Sequence, residues 1–152
     1  MYWAIVIIKI IFVTIMLKSE TKIRVRYGET DRMGYAYYGN YAQYYEVARV
    51  ETLRKIGFSY KEIEDKGILL PVLDFTIQYK KPAFYDDELT IITTVKELPG
   101  VRFTFHYECF NDKKELLNTG AVTLVFVDRE RNKPCTPPDW FMDEVEKYFT
   151  HD

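Results

Sequence analysis

Arg26–Tyr41 reads RYGETDRMGYAYYGNY, and the chain continues AQYYEVARVETLRKIG to Gly57. In the second stretch Tyr41, Tyr44, Tyr45, Ala48, Thr52, Leu53 and Ile56 recur at helical spacing, while Glu46, Arg49 and Arg54 fall largely elsewhere. This predicts a helix over 41–56, about 24 Å long. Asn40 with Gln43 forms a candidate capping pair, and Gly57 marks the end. The first stretch is a loop punctuated by Gly28, Gly34 and Gly39, with the carboxylate of Asp31 just ahead of the helix. Glycines let backbone approach a ligand, and a helix start offers unpaired N–H groups that favour negative charge. Two readings stand side by side: an Asp-Gly turn capped by Asn40, or a site where a base meets oxyanion donors.

Working outward, Thr21–Tyr27 alternates as a half-buried strand, with Ile23, Val25 and Tyr27 opposite Lys22, Arg24 and Arg26. Ser59 and Glu62 spell a capping box for a second helix, with Phe58 and Ile63 as its hydrophobic staple and Gly67 as its limit. Leu73, Phe75, Ile77 and Tyr79 then alternate with polar neighbours, as do Leu89, Ile91, Thr93 and Val95. Pro99-Gly100 suits a type II turn into a row of Phe103, Phe105, Tyr107 and Cys109, and Asn111–Lys114 is a second turn. Ala121–Val127 is almost continuously apolar and predicts a strand buried on both faces. A short helix with Trp140, Phe141, Val145 and Phe149 closes the chain. One strand, two helices and four mostly antiparallel strands make an α+β fold, since repeated crossover helices are missing.

The 152 residues suit one domain, and 47% hydrophobic with 29% charged residues is a globular composition. A net charge of −2 gives no general attraction to nucleic acid. Thirteen tyrosines and ten phenylalanines suit an aromatic core or a homodimer interface. Cys109 and Cys135 fit neither a disulfide framework nor a metal-ligand pattern, which points to a reducing, cytoplasmic compartment. Residues 1–20 are set apart as an apolar N-terminal extension and 21–152 as the domain. The extension carries Lys9, is short for a membrane span and lacks signal-peptide flanks, so no firm membrane prediction follows. A start at Met16 and a β-prone extension packing on a partner or membrane remain open.

RYGETDRMGYAYYGNYAQYYEVAR, with TLRKIGFSY and IQYKKPAFYDDEL, resembles the hotdog-fold thioesterases of the 4-hydroxybenzoyl-CoA thioesterase and YbgC type. The resemblance runs from Thr21 to about Phe149. It implies a curved antiparallel β-sheet wrapped around a long central helix, homodimers or dimers of dimers, and clefts between subunits that admit a CoA or acyl-carrier pantetheine arm. Asp31 occupies the position of the family's catalytic carboxylate, and Asn40-Tyr41 completes the motif. Tyr38 stands where many YbgC-like members carry histidine, whereas the hydroxybenzoyl-CoA branch accommodates tyrosine.

The activity so implied is hydrolysis of an acyl-CoA thioester without cofactor or metal. Asp31 would serve as general base or nucleophile, and backbone N–H groups from Tyr38 to Tyr41 would polarise the carbonyl. A phenol is a poor base at neutral pH, so Tyr38 is expected to supply site geometry and acyl contact. Gly39, Asn40, Tyr41, Tyr45, Lys81 and Arg102 are the expected substrate-binding residues. Lys80, Arg129, Arg131 and Lys133 are further candidates for a phosphate-binding rim. Glu46 is expected to pair with Arg49 or Arg54, His106 to face solvent or sheet, and His151 to be a terminal residue. The rivals are an acyl-carrier-protein thioesterase, a hotdog dehydratase, disfavoured by the lack of a His beside Asp31, and a non-catalytic acyl-CoA-binding protein.

Overall fold

The computed structural model describes residues 16–149; the apolar segment before Met16 and His151 lie outside them. The first strand, β1, spans Leu17–Arg24 and so begins at Leu17 rather than Thr21. It stops short of Tyr27 because the backbone of Val25 turns to bond Asp86 and Asp87 at the sheet's end. A 3-10 turn at Tyr27–Glu29 opens the glycine-punctuated loop, and a second at Tyr38–Asn40 leads into α1, Tyr41–Lys55. Helix α2, Tyr60–Asp65, is followed by β2 at Ile68–Leu69 and β3 at Val72–Tyr79. Then come β4 at Glu88–Val95, β5 at Arg102–Phe110 and β6 at Leu116–Val125. The short strands β7, Val127–Asp128, and β8, Lys133–Pro134, precede α3, Asp139–Val145.

Five strands form one antiparallel sheet in the order β1-β4-β5-β6-β3, and β2-β7-β8 make a small second sheet that periodicity did not signal. Helix α1 packs on the inner face of the large sheet, the arrangement of a hotdog fold. Its predicted stripe is buried as expected, because a helix beside a one-sided sheet hides one face. Arg49 joins that face as well, donating from Nε to the Tyr60 hydroxyl at 2.8 Å. The expected ion pair with Glu46 is not made. Glu46 is exposed, and Arg54 pairs with Glu51 instead.

Register explains how closely the helix sits. Ser19, Thr93, Tyr107, Gly120 and Ile77 face one another across the five strands. Above that row the Tyr45 ring stacks on Tyr107 at 4.3 Å and 8°. A Cβ on Gly120 would lie 2.8 Å from the Tyr45 ring and 3.1 Å from the Thr76 carbonyl oxygen. Helix and sheet therefore meet where β6 carries no side chain.

Other local expectations divide by cause. The Ser59–Glu62 capping box forms, and the Asn111 carboxamide accepts from the Lys113 and Glu115 amides as an Asx turn. At Pro99-Gly100 the chain bends between β4 and β5 with the Gly100 amide donating to the Arg102 carbonyl at 3.1 Å, but Gly100 is not left-handed and the expected type II turn is not made. Strand β6 alternates in burial rather than being covered on both faces, since α1 lies on one side only. Among the described residues no helix is long and apolar enough to cross a membrane.

Gly120→Ala is expected to destabilise the fold by about 1–3 kcal/mol through overpacking against Tyr45. Chemical denaturation measures this directly, and an unchanged midpoint would show that the helix yields without cost.

Candidate active site

The loop between β1 and α1 is pinned at both ends. The Thr30 and Ala36 positions bridge, Tyr35 bridges Phe84, and the Ala36 amide donates to the Ala83 carbonyl at 2.8 Å. Within this narrow hairpin the Asp31 amide donates to the Tyr35 carbonyl, and the Gly34 amide returns to the Asp31 carbonyl at 2.9 Å. Gly34 closes the turn at φ +82°, a conformation that an L side chain resists. The Asp31 side chain is held by its own turn: Oδ1 accepts from the Met33 amide at 2.9 Å and the Tyr35 amide at 3.2 Å. No donor among the described residues reaches Oδ2, so one carboxylate oxygen is fixed and the other is open.

Asn40 is not the expected side-chain cap. Its backbone is already helical and its carboxamide Nδ2 donates backward to the Glu29 carbonyl at 2.6 Å. The 3-10 turn replaces the cap: the Asn40 amide donates to the Tyr37 carbonyl, and the Tyr41 amide to that of Tyr38. The amides of Tyr38 and Gly39 have no acceptor among the described residues. A Cβ on Gly39 would come within 2.7 Å of the exposed Tyr37 ring, which would have to swing aside.

Asp31 and Tyr38 line one cleft of about 290 Å³, with Tyr35, Tyr41, Tyr79, Lys80, Lys81 and Pro82 around it. The Tyr79 hydroxyl donates to the Tyr38 carbonyl at 2.9 Å, tying β3 to the helix start. Burial raises the Tyr41 and Tyr45 phenols above their ordinary pKa, so both stay neutral near pH 7. Lys81 pairs with Glu115 at the rim.

Other expected residues lie elsewhere. Tyr45 is wholly buried beneath the helix, its hydroxyl bonded to the Asn118 carboxamide oxygen, and does not line the cleft. Arg102 opens β5 in a separate groove with Lys96 and His106; burial, then Lys96, lowers the His106 pKa. Arg129 donates to the Glu64 carbonyl, Arg131 pairs with Asp128, and Lys133 sits exposed on β8. Cys109 is buried, which pushes its thiol up to about 12, an inert state. Among the described residues no cluster of three or more metal-ligating side chains occurs.

Glu29 is the residue that the sequence reading passed over. Its Oε1 accepts from the Arg26 amide at 2.8 Å and the Tyr44 hydroxyl at 3.0 Å, while Oε2 takes the Arg26 guanidinium. Burial opposes its ionisation, but the bonds from Arg26 and Tyr44 outweigh it and hold the carboxyl below the usual range. An acid three residues after Arg26 was the available signal, obscured because Arg is an unusual N-cap.

Asp31 and Tyr38, the residue that opens the helical turn, thus share one cleft beside a helix packed on a hotdog sheet, whereas Gly39 and Asn40 are not among its lining residues. The chain belongs to the thioesterase-like superfamily, whose family model matches residues 25–145. It is related to the 4-hydroxybenzoyl-CoA thioesterase and YbgC group and is a hydrolase. It is 36% identical to YneP of Bacillus subtilis over 126 residues, covering 80% of this chain and 91% of YneP. It is 33% identical to the acyl-CoA thioester hydrolase YbgC of Escherichia coli over 125 residues, covering 82% and 93% of the two chains. Among solved structures, the DHNA-CoA thioesterase of Staphylococcus aureus superposes with a TM-score of 0.80 at 40% identity, covering 86% of this chain and 89% of that one.

A carboxyl depressed in the folded state contributes stability above its unfolded pKa and loses it as pH falls through the folded value. The unfolding free-energy gap between wild type and Glu29→Gln should therefore be constant above about pH 5 and shrink below about pH 4. Urea titrations across that range test it; a gap independent of pH would mean that the charge plays no part.

Proposed function

We propose that this protein hydrolyses acyl-CoA thioesters to the free acid and CoA, with Asp31 as the catalytic carboxylate. The observation that carries this reading is the shared cleft: the open oxygen of Asp31 and the start of the helical turn at Tyr38 line the same space. As general base, Asp31 takes a proton from water as the water attacks the thioester carbonyl. The Tyr38 and Gly39 amides, at the positive end of the helical turn, stabilise the oxyanion of the tetrahedral intermediate. Its collapse breaks the C–S bond and releases CoA thiolate, which takes up a proton. As nucleophile, Asp31 would itself displace the thiolate and form a mixed anhydride, which water then hydrolyses. Both routes use the same open oxygen.

The walls suit the substrate's two ends. Tyr35, Tyr38, Tyr41 and Tyr79 give an aromatic surface for an acyl group, and Lys80 places positive charge at the rim for a phosphate-bearing arm, beside Lys81 in its pair with Glu115. Tyr38 contributes its amide and ring, in place of the histidine that many YbgC-like members carry.

The cleft opens beside a sheet edge built for pairing. Edge strand β1 is guarded by Lys18, Glu20, Lys22 and Arg24, whereas β3 at the other edge exposes Val72, Leu73, Phe75 and Tyr79. Two copies would pair β3 against β3 and cover this apolar surface, placing the Tyr79 side of the cleft at their junction. The names of the relatives, the acyl-CoA thioester hydrolase YbgC and the DHNA-CoA thioesterase among them, support a CoA thioester over a carrier-protein substrate.

Asp31→Asn keeps the size of the side chain and removes its basicity and nucleophilicity. Thiol release from short-chain, medium-chain and aromatic acyl-CoAs should fall by about 10²–10⁴-fold in this variant. Background turnover by wild type across the panel, or full activity in the variant, would sink the reading. Separately, light scattering should find wild type as a dimer or larger and Leu73→Lys, at a site 55% exposed in the single chain, shifted toward monomer. A monomeric wild type at working concentration would remove the β3 pairing.

A further inference from the structure

Glu29 ties the two halves of the cleft to each other. Its carboxylate accepts the Tyr44 hydroxyl at 3.0 Å, and its main-chain oxygen accepts the Asn40 carboxamide at 2.6 Å and the Tyr37 amide at 2.8 Å. Asn40 and Tyr44 stand four residues apart, so they lie one above the other on the same face of the helix. A single loop residue thus grips the first turn of α1 at two levels, and the Arg26 guanidinium and amide fix the carboxylate from the other side. The Glu29 side chain is 11% exposed and its bond to Tyr44 is partly buried, while the Arg26 guanidinium that holds its far side is open to solvent.

The position of this grip matters for chemistry. Asp31 follows Glu29 by two residues in the pinned hairpin, whereas Tyr38 and Gly39 lie between the two helix-side contacts, Tyr37 and Asn40. A shift of α1 along its axis would carry the open amides away from the Asp31 carboxylate, and the bonds to Tyr44, Asn40 and Tyr37 resist that shift together. Glu29 itself does not line the cleft.

We infer that Glu29 is a positioning residue, which sets the distance between the Asp31 carboxylate and the Tyr38–Gly39 amides by clamping the loop to the first turn of α1. The inference rests on the thioesterase reading of the cleft for its kinetic consequence, but not for its geometry. Catalysis by a positioned carboxylate and oxyanion donors tolerates little displacement, and a misplacement of about 1 Å costs on the order of 10²-fold in rate. Binding of the acyl and CoA portions draws on other surfaces, so the loss should fall on kcat.

Glu29→Gln turns the oxygen that holds the Arg26 guanidinium into an N–H donor and removes the charge, so the side-chain level of the clamp loses its anchor while the main-chain ties to Tyr37 and Asn40 must hold alone. Its kcat on the best acyl-CoA should fall about 10–100-fold with KM within about threefold, assayed well below its melting temperature. Tyr44→Phe removes one tie while leaving the Arg26–Glu29 pair, so its kcat should fall less. In the double variant the two losses should be far from additive, because both act through one clamp. Hydrogen exchange gives a readout that needs no substrate: the Tyr37 and Asn40 amides should exchange faster in Glu29→Gln, by about tenfold or more, with the Thr52 amide in the helix interior unchanged. A kcat within about twofold of wild type, or additive losses, would overturn the inference. Should wild type prove inactive on every thioester, the proposed function fails by itself, and unchanged exchange at Tyr37 and Asn40 would then overturn the clamp independently. Should Glu29→Gln fail to fold, Tyr44→Phe decides by the same kcat, KM and exchange measurements.

Discussion

The seat of the long helix on the sheet depends on the missing side chain at residue 120. Helix α1 rests where Gly120 lets the Tyr45 ring approach β6 and stack on Tyr107 of β5. A methyl group there would meet both the ring and the Thr76 carbonyl, and dense interiors pass such displacement on rather than absorb it. The seat of the helix sets the height of its first turn. That height brings Tyr41 over the cleft and the Tyr38 carbonyl within reach of the Tyr79 hydroxyl on β3. Sheet packing and site geometry are one constraint met at two places.

The helix–sheet contact is unusually polar for a core. Tyr45 is bonded to Asn118, whose Nδ2 has no partner among the described residues, and the Tyr107 hydroxyl also lacks one of good geometry. Arg49 is buried nearby with the Tyr60 hydroxyl rather than a carboxylate as its partner. Burial lowers its pKa, but the surrounding phenols outweigh that, and the guanidinium stays charged. Buried groups of this kind cost stability when unpaired and give little back beyond orientation. Here they orient α1: the hydroxyl of Tyr45 and the guanidinium of Arg49 fix its rotation about its own axis, which hydrophobic contact alone leaves loose.

Where the sequence reading held, it rested on interactions that are local in the chain. The apolar stripe of α1 and the Ser59–Glu62 capping box both depend on neighbours within one helical turn, and both form. Readings that failed depended on what lay across the fold. Asn40 has an N-cap side chain by type, yet the Glu29 carbonyl outcompetes the helix for its carboxamide. Arg49 has Glu46 at helical spacing, but its inward position gives it Tyr60. The apolar run at Ala121–Val127 reads as doubly buried, although only one face meets α1. Glu29 was invisible for the same reason: its partners Asn40 and Tyr44 come from beyond the loop.

The sequence by itself determined the α+β class, the long aromatic helix and the pairing of Asp31 with a glycine-bearing helix start. These follow from periodicity, from capping chemistry and from the conformations that glycine alone adopts readily, all properties of short segments. Only the tertiary structure decided which amides stay open, that Tyr45 belongs to the core and not to the cleft, and that Arg102 lies in another groove. Such outcomes turn on strand register and on how far a helix can descend onto a sheet. Both are fixed by contacts between residues far apart in the chain, which no local pattern encodes.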